Sequence, residues 1–473
     1  MTQPVSEPVQ RVWMDVTMLA RCATQPTGIS RVVLAILENW RKGAFDDLRL
    51  CRFDDAAGGF VEVAVSILDR FQPQPNANES PGPHRPSRRN RLRHVGKQVV
   101  KPLVSWLPVS VKRLLKRKVR GFVHVAKEIA KIPVQQLKRL LKKPAPIQTL
   151  ELGPTDLVVM LGDDWSAPER SRVIYRLKRD RGFRTAWLIY DLIPILFPQF
   201  FGPGFPERFT PWLVDTLWAS DLVLTISENT RVDIQQYCLR GGIPCPPVEV
   251  VRLGENLPDA GEASVPHALR MTDTESFALC VGTVEVRKNQ LLLYHVWRKL
   301  IEIRGSTGTP RLIVVGMRGW MGSNTMHLAE VDPVTREHIR FLPKCNDAEL
   351  RWLYQHCAFT LYPSFYEGWG LPVAESLAFG KHCIAGNRSS IPEIAGDLVA
   401  MHDPSSVDEC LKQVMEALDP AFRARCEERI RREYRRREWS ECAEQMAEFV
   451  RNKFEIPVSR DAKELRSGAR LAG

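Results

Sequence analysis

The sequence predicts an α/β protein of two Rossmann-like domains facing each other across a cleft, the first carrying a basic amphipathic helical insert. Three observations predict this. Short apolar runs of strand length alternate with segments whose apolar residues recur at helical spacing, the rhythm of parallel βαβ units. The series occurs twice, on either side of a stretch at Glu255–Glu275 whose Pro, Gly, Asp and Ser residues read as a linker. The chain is also long enough, since 473 residues with 44% hydrophobic content suffice for two globular domains.

Arg11–Ala20 reads as the first strand. It leads to QPTGISRVVLAIL, where a Thr-Gly turn opens a helix with Val32, Val33, Ile36 and Leu37 on one face. A second short strand is expected near Leu48–Phe53. Regular alternation resumes at Asp156–Leu161 and continues with strands at Thr185–Tyr190, Leu222–Ile226 and Val248–Val251. The second series starts at Phe277–Val281. It runs through Leu312–Val315, Ile339–Leu342, Phe359–Tyr362 and Cys383–Ala385, with helices over Lys288–Ile303, Asp347–His356, Leu371–Phe379 and Ser406–Leu418. The domains are therefore placed at 11–255, including the insert at about 85–143, and at 276–420. One charged helix at about 421–452 is expected to cross back to the first domain, and 453–473 reads as a flexible polar tail.

Charge is unevenly spread. The net charge is +12, yet the stretch Arg85–Lys143 holds 19 Lys and Arg and one acid, Glu128, so the rest of the chain is mildly acidic. Within that insert Val111, Leu114, Leu115, Val119, Phe122, Val123, Ala126, Ile129 and Ala130 recur at three- and four-residue steps. Lys and Arg fill the positions between them, and a second such stripe starts at Val134. A cationic face opposite an apolar stripe is the signature of a helix lying in a membrane interface. An anionic membrane surface contacted through Val109–Lys143 is the expected partner; packing of the stripe on protein is the other reading. Nucleic acid is not expected, because a phosphate-binding tract has no need of so regular an apolar stripe. The start of the chain is polar and no run is long and apolar enough to span a bilayer. Eleven scattered cysteines show no disulfide or zinc spacing, which fits a reducing compartment. The expected location is the cytoplasm, at the inner face of the membrane.

The segment SFYEGWGLPVAESLAFG, Ser364–Gly380, carries the chemistry. A strand-like run, Phe359–Tyr362, precedes it, and Val373, Ala374, Leu377 and Ala378 follow at helical spacing. Pro372 stands near the first helical position, where a missing N–H costs nothing. The reading is strand, glycine loop, helix. A helix start presents unpaired N–H groups and partial positive charge to a phosphate. Gly368 and Gly370 let backbone approach a ligand closely. Glu367 lies in the loop and Glu375 in the first helical turn. One carboxylate can meet a sugar at the phosphate end while the other meets a ribose. The plainer reading is that both are acids favoured by the helix dipole.

This block resembles the signature of retaining GT-B glycosyltransferases of the family 4, or group 1, type. The resemblance spans Arg11–Asn39 and about Glu151–Asn452 and leaves out the basic insert. It implies that Glu367 contacts the transferred sugar and Glu375 the nucleotide ribose, with Trp369, Leu371 and the two glycines beside the donor. Arg287 and Lys288, after the first strand of the second domain, match the cations that the family sets against the donor diphosphate. Many relatives have arginine directly after the glycine, where this chain has Thr283. The loop TGISR matches the one that covers the diphosphate from the other domain. Gly28 carries over from it, and Arg31 is either an electrostatic aid or a surface charge. Relatives often have His-Asp-Leu-Ile-Pro where this chain has Tyr190 and Asp191. Asp191 either bonds a sugar hydroxyl, orients the acceptor, or caps the turn before Pro194. Ser227 is a natural N-cap, Arg231 is a candidate to face phosphate, and Asn387, Ser389 and Ser390 are donors near the nucleotide end. Glu393 reads as supporting the short helix after them.

The resemblance implies a retaining transfer of a mannose- or rhamnose-like hexose from a nucleotide diphosphate sugar to a hydroxyl of a glycan or lipid-linked glycan. No Asp-x-Asp motif occurs, so neither a bound metal nor any other cofactor is expected. The rival readings are a nucleotide-sugar epimerase or phosphorylase-like enzyme of the same fold, and a nucleic-acid-binding protein that uses the basic insert.

Overall fold

The computed structural model describes residues 8–22, 28–71, 148–255, 257, 262–269 and 276–457. The basic stripe expected over Val109–Lys143 lies outside them.

The first sheet begins with β1, Arg11–Asp15. The first strand therefore stops short of the expected Ala20. The Asp15 carboxylate accepts hydrogen bonds from the backbone N–H (3.1 Å) and hydroxyl of Thr17, which turns the chain into a short helix α1, Thr17–Arg21. An apolar run alone does not locate such a turn. Helix α2, Ile29–Trp40, follows, and then β2, Leu48–Asp54, and β3, Gly59–Glu62. Beyond the insert come β4, Asp156–Met160; α3, Glu169–Arg181; β5, Arg184–Ile189; and α4, Ile193–Leu196. Helix α5, Phe205–Ala219, β6, Leu222–Thr225, α6, Glu228–Gly241, and β7, Val248–Val250, complete the domain.

The strand order is β3-β2-β1-β4-β5-β6-β7, parallel except for the β2–β3 hairpin. Val12 pairs with Leu48 on one side and Leu157 on the other, and every residue of β4 is buried. Strands covered on both faces must be apolar throughout, which is why they read as runs rather than alternations. One cluster packs Trp13, Phe53, Phe60, Phe183 and Trp187; a second, further along the sheet, packs Ile189, Phe209, Trp212 and Leu213.

The second sheet comprises β8, Phe277–Val281; β9, Arg311–Val315; β10, Ile339–Leu342; β11, Phe359–Tyr362; β12, Cys383–Gly386; and β13, Ala400–His402. Its order is β10-β9-β8-β11-β12-β13, with every pairing parallel. Helices α7, Gln290–Arg304; α8, Gly322–Val331; α9, Asp347–His356; α10, Leu371–Ala378; α11, Ile391–Ala395; and α12, Val407–Ala417, lie between and after the strands. Helix α7 starts later than expected, because a 3-10 turn at Val286–Lys288 precedes it and Asn289 takes a positive φ of 59°. The Asn289 side chain donates to the carbonyls of Pro363 (3.1 Å) and Pro404 (2.7 Å), which holds the turn against the end of β11.

The expected single C-terminal helix is two, α13, Pro420–Glu433, and α14, Trp439–Phe454. Tyr434 leaves the helix and gives its hydroxyl to the buried Glu255 at 2.7 Å. A Glu438–Glu441 capping box then starts the new helix. Helix α14 lies on α2 of the first domain. The Trp40 indole donates to the Ala443 carbonyl (2.8 Å), and Arg451 reaches the Ala44 carbonyl (3.1 Å). Among the described residues no helix is long and apolar enough to cross a membrane.

Candidate active site

In the second sheet the strand order reverses between β8 and β11. The crevice beyond the carboxyl ends of such strands is where ligands bind in open α/β sheets. Two charged loops lie there. Glu285, Arg287 and Lys288 follow β8, and Glu367 follows β11.

Lys288 Nζ lies 2.7 Å from Glu367 Oε1, and Arg287 Nη1 lies 2.6 Å from Oε2. Lys288 also donates to the Tyr362 hydroxyl at 2.6 Å, while Arg287 reaches the Tyr366 carbonyl (2.9 Å) and Glu285 (2.9 Å). Glu367 is 5% exposed. Burial opposes its charge, but Arg287 and Lys288 overcome burial and hold the carboxyl at about 2. Burial lowers the Lys288 ammonium, with Glu367 opposing. The result is a preformed, charge-balanced cluster in which two cations are held at one point.

The loop is held from below. The Glu367 N–H donates to Ser389 Oγ at 2.8 Å, and Ser390 Oγ lies 3.0 Å from the Glu367 carbonyl and 2.6 Å from that of Trp369. Gly370 has φ of 120°, and a Cβ there would fall 2.7 Å from Ile391. Gly368 packs against the first domain, where a Cβ would lie 2.6 Å from the Tyr190 carbonyl oxygen. Gly368 is thus required by close packing across the cleft, and Gly370 by its positive φ over Ile391.

One helical turn into α10, Glu375 is also 5% exposed. Tyr354 donates to its Oε2 at 2.9 Å, and Arg31, at the start of α2, approaches Oε1 at 3.3 Å from the first domain. Burial raises the Glu375 carboxyl, with Arg31 opposing.

Residues 266–433 match the sequence family described as glycosyl transferases group 1. This stretch of the chain is similar to the group 1 glycosyltransferase domain. An O-antigen chain mannosyltransferase B of Escherichia coli is 29% identical over 239 residues, 49% of this chain and 61% of that protein. A serotype-specific mannosyltransferase WbdA of Escherichia coli is 25% identical over 252 residues, 51% of this chain and 30% of that protein. The chain thus spans less than two thirds of these relatives. Among solved structures, a sucrose-phosphate synthase from Thermosynechococcus elongatus aligns at a TM-score of 0.47 and 19% identity, covering 64% of this chain and 74% of that one.

The second domain brings Glu367, Lys288 and Arg287 into direct contact, and Glu375 lies one helical turn into α10. Asp191 faces the same loop across the cleft. Its Oδ1 accepts the Ile193 N–H at 3.0 Å, so it caps the turn, and burial raises its carboxyl against the pull of Arg287. Gly28, with φ of 53°, starts α2. Leu371 is the first residue of α10, and Asn387 is exposed at the end of β12. Three candidates lie elsewhere or do other work. Tyr190 is buried and gives its hydroxyl to the Leu161 carbonyl at 2.8 Å, a bond within the first domain. Arg231 pairs with Glu228 at 2.7 Å on the surface of α6. Ser227 accepts the Thr230 N–H at 3.1 Å as a helix cap. The Trp369 side chain is buried, with the Arg252 guanidinium 5.9 Å from its ring centroid.

Tyr354, Tyr362 and Glu285 join the site without having been singled out from sequence. Tyr362 alone had a signal, as the last residue of the strand before the loop. Glu393 also has a role beyond its own helix. Its carboxylate accepts the N–H groups of Glu228 and Asn229, both at 2.7 Å, at the start of α6 in the first domain. Beside it, Phe200 stacks on Phe365 at 5.7 Å and Phe197 meets Tyr366 at 4.8 Å, again between domains.

Proposed function

We propose that the protein is a retaining glycosyltransferase. It moves mannose, or a similar hexose, from a nucleotide diphosphate sugar to a hydroxyl of a polysaccharide acceptor carried on a lipid. The observation that carries this reading is the Lys288–Glu367–Arg287 cluster at the start of α10, with Glu375 one turn further on. The O-antigen mannosyltransferase relatives support the acceptor class.

Glu375 accepts the ribose hydroxyls, and the diphosphate lies toward the start of α10. Lys288 and Arg287 stabilise negative charge as the phosphate departs. Their present partner, Glu367, then turns an oxygen to the sugar. Acceptor attack occurs on the face the phosphate leaves, and the departing phosphate takes the acceptor proton, so configuration is kept. The cations supply the charge that a metal would otherwise bring, and no metal or other cofactor is required. The insert docks this chemistry on an anionic membrane surface at the cytoplasmic face.

The test is incubation of the full chain with UDP-, GDP- and dTDP-hexoses and a lipid-linked glycan acceptor. Release of nucleoside diphosphate with an elongated acceptor of retained anomeric configuration is expected. No turnover with any of these donors, or inversion seen by NMR, overturns the reading.

A further inference from the structure

Glu375 is a buried carboxylate with two different neighbours, one on each oxygen. The first domain contributes Arg31 to Oε1, at 3.3 Å, and Arg31 reaches on to Asp347 at 3.4 Å. The second domain contributes Tyr354 to Oε2, at 2.9 Å. The two contacts differ in kind. Arg31 is long, comes across the cleft, and is free to move with its domain. Tyr354 is 0% exposed, and α9, which carries it, is fixed at its start by an Asn346–Glu349 capping box. The Tyr354 ring stacks on Phe379 at 5.1 Å with planes 7° apart. Its hydroxyl also lies 3.4 Å from the Pro372 carbonyl in the first turn of α10.

We propose that Tyr354 is a positioning residue for donor recognition: its hydroxyl fixes Oε2 of Glu375 and so presents Oε1 to a ribose hydroxyl. The inference rests on the reading of Glu375 as the ribose acceptor. Without the phenol, Oε2 is a buried acceptor with no partner of its own and the side chain turns to find one. With it, the rotamer is set before the donor arrives, and affinity is gained by pre-organisation. Burial, joined by Glu375 itself, pushes the Tyr354 hydroxyl well above its ordinary range, so it stays a donor at any working pH. The oxygen left over is the one facing the first domain. Arg31 holds it across the cleft and yields it when the ribose enters. Tyr354 thereby sets preference for ribose over deoxyribose while touching no part of the substrate.

The substitution Tyr354→Phe keeps the ring and its stacking and removes one oxygen. Binding of GDP and UDP, and of their 2′-deoxy and 3′-deoxy counterparts, is to be measured by calorimetry for the wild type, Y354F, E375Q and the double variant. For the ribonucleotide that the wild type takes, Y354F weakens binding about tenfold, the size expected of one lost hydrogen bond to a carboxylate. For the counterpart lacking the contacted hydroxyl the loss is below about twofold, because nothing remains for Glu375 to hold. The double variant binds like E375Q alone, and in turnover the loss falls on KM for donor rather than on kcat. Equal weakening of ribo- and deoxyribonucleotides, or effects of Y354F and E375Q that multiply, would assign the phenol to packing and overturn the proposal. A Y354F that does not fold likewise makes the phenol a packing group and overturns it. A wild type that binds these nucleotides without ribose preference, and equally well as E375Q, removes the ribose role of Glu375 and the proposal with it.

Discussion

Lys288 Nζ and Glu367 Oε1 are 2.7 Å apart in a crevice where both side chains are largely hidden from water. The ammonium has a second short contact, to Tyr362, and the carboxylate has a second cation, Arg287. Each charge is therefore held by more than one partner, which lets the cluster exchange one of them when a phosphate enters and still leave no charge alone. Removing the ammonium leaves Glu367 with Arg287 alone. K288A is expected to lower turnover by a factor of about 10² to 10³, the size seen when one donor to developing charge is lost. Steady-state kinetics checks this, with circular dichroism confirming the fold; turnover within about threefold of wild type would remove Lys288 from the chemistry.

The same cluster sets an acid limit on stability. Glu367 sits at about 2 in the folded chain against an ordinary value of 4.5, so the folded state binds its proton less readily than the unfolded one. The sign follows. Its contribution, on the order of 3 kcal/mol, is present above pH 4.5 and is lost as pH falls toward 2. E367Q should unfold in acid with a shallower loss across that window. A urea-denaturation series from about pH 6 to 2.5 that gives parallel curves for variant and wild type would contradict this.

Gly368 tests how closely the two domains must meet. An added methyl at 2.6 Å from the Tyr190 carbonyl has to push one loop away from the other. G368A is expected to cost about 1–3 kcal/mol of productive closure, or roughly 5- to 150-fold in kcat/KM. The melting temperature should change little, since the clash falls in the cleft and not in either core. Wild-type kcat/KM would show that the domains separate in the working state.

Glu393 accepts two N–H groups at the start of α6 from across the cleft, but it is exposed, so screening limits its worth to about 1 kcal/mol. E393A is expected to raise KM for donor by roughly three- to fivefold, with a smaller effect in high salt. Small-angle scattering of the donor-free chain should show a larger radius of gyration for the variant. Unchanged scattering and unchanged KM together would leave Glu393 as a surface acid.

The basic insert makes a separate prediction. The full chain should sediment with anionic liposomes and release in high salt, each basic residue adding at most about 1 kcal/mol. Deleting Arg85–Lys143 should abolish sedimentation and spare donor binding. Failure of the full chain to sediment, or unfolding of the deletion, would return the stripe to a packing role.

Much of this is legible in the sequence because it is local. The loop from Glu367 to Glu375 announces itself through its glycines, its proline and the apolar strand before it, all within one strand–helix turn. The parallel strands read as apolar runs because both faces are covered. What stays hidden is set by contacts between distant segments. Tyr354 looks like any aromatic on a helix until α9 is packed against α10. The break between α13 and α14 carries no proline or glycine; it exists because Tyr434 is drawn to Glu255. Tyr190 ends a strand at the cleft, but its side chain turns toward Leu161, a choice that the period of a strand does not announce.

Glu255 has a consequence for how the molecule can move. The chain passes between the domains twice, once outward after Arg252 and once back near Tyr434. Glu255 binds both passages, through Arg252 at 2.6 Å, Tyr434 at 2.7 Å and the Arg437 N–H at 3.2 Å, while its own N–H donates to the Arg437 carbonyl at 2.9 Å. Two tethers bonded to each other behave as a ribbon, not as two threads. A ribbon bends across its width and resists twisting along it. The second domain can therefore swing like a door on a wide hinge, returning to the same register at each closure, and Gly368 and Glu393 meet the first domain at the same points every cycle.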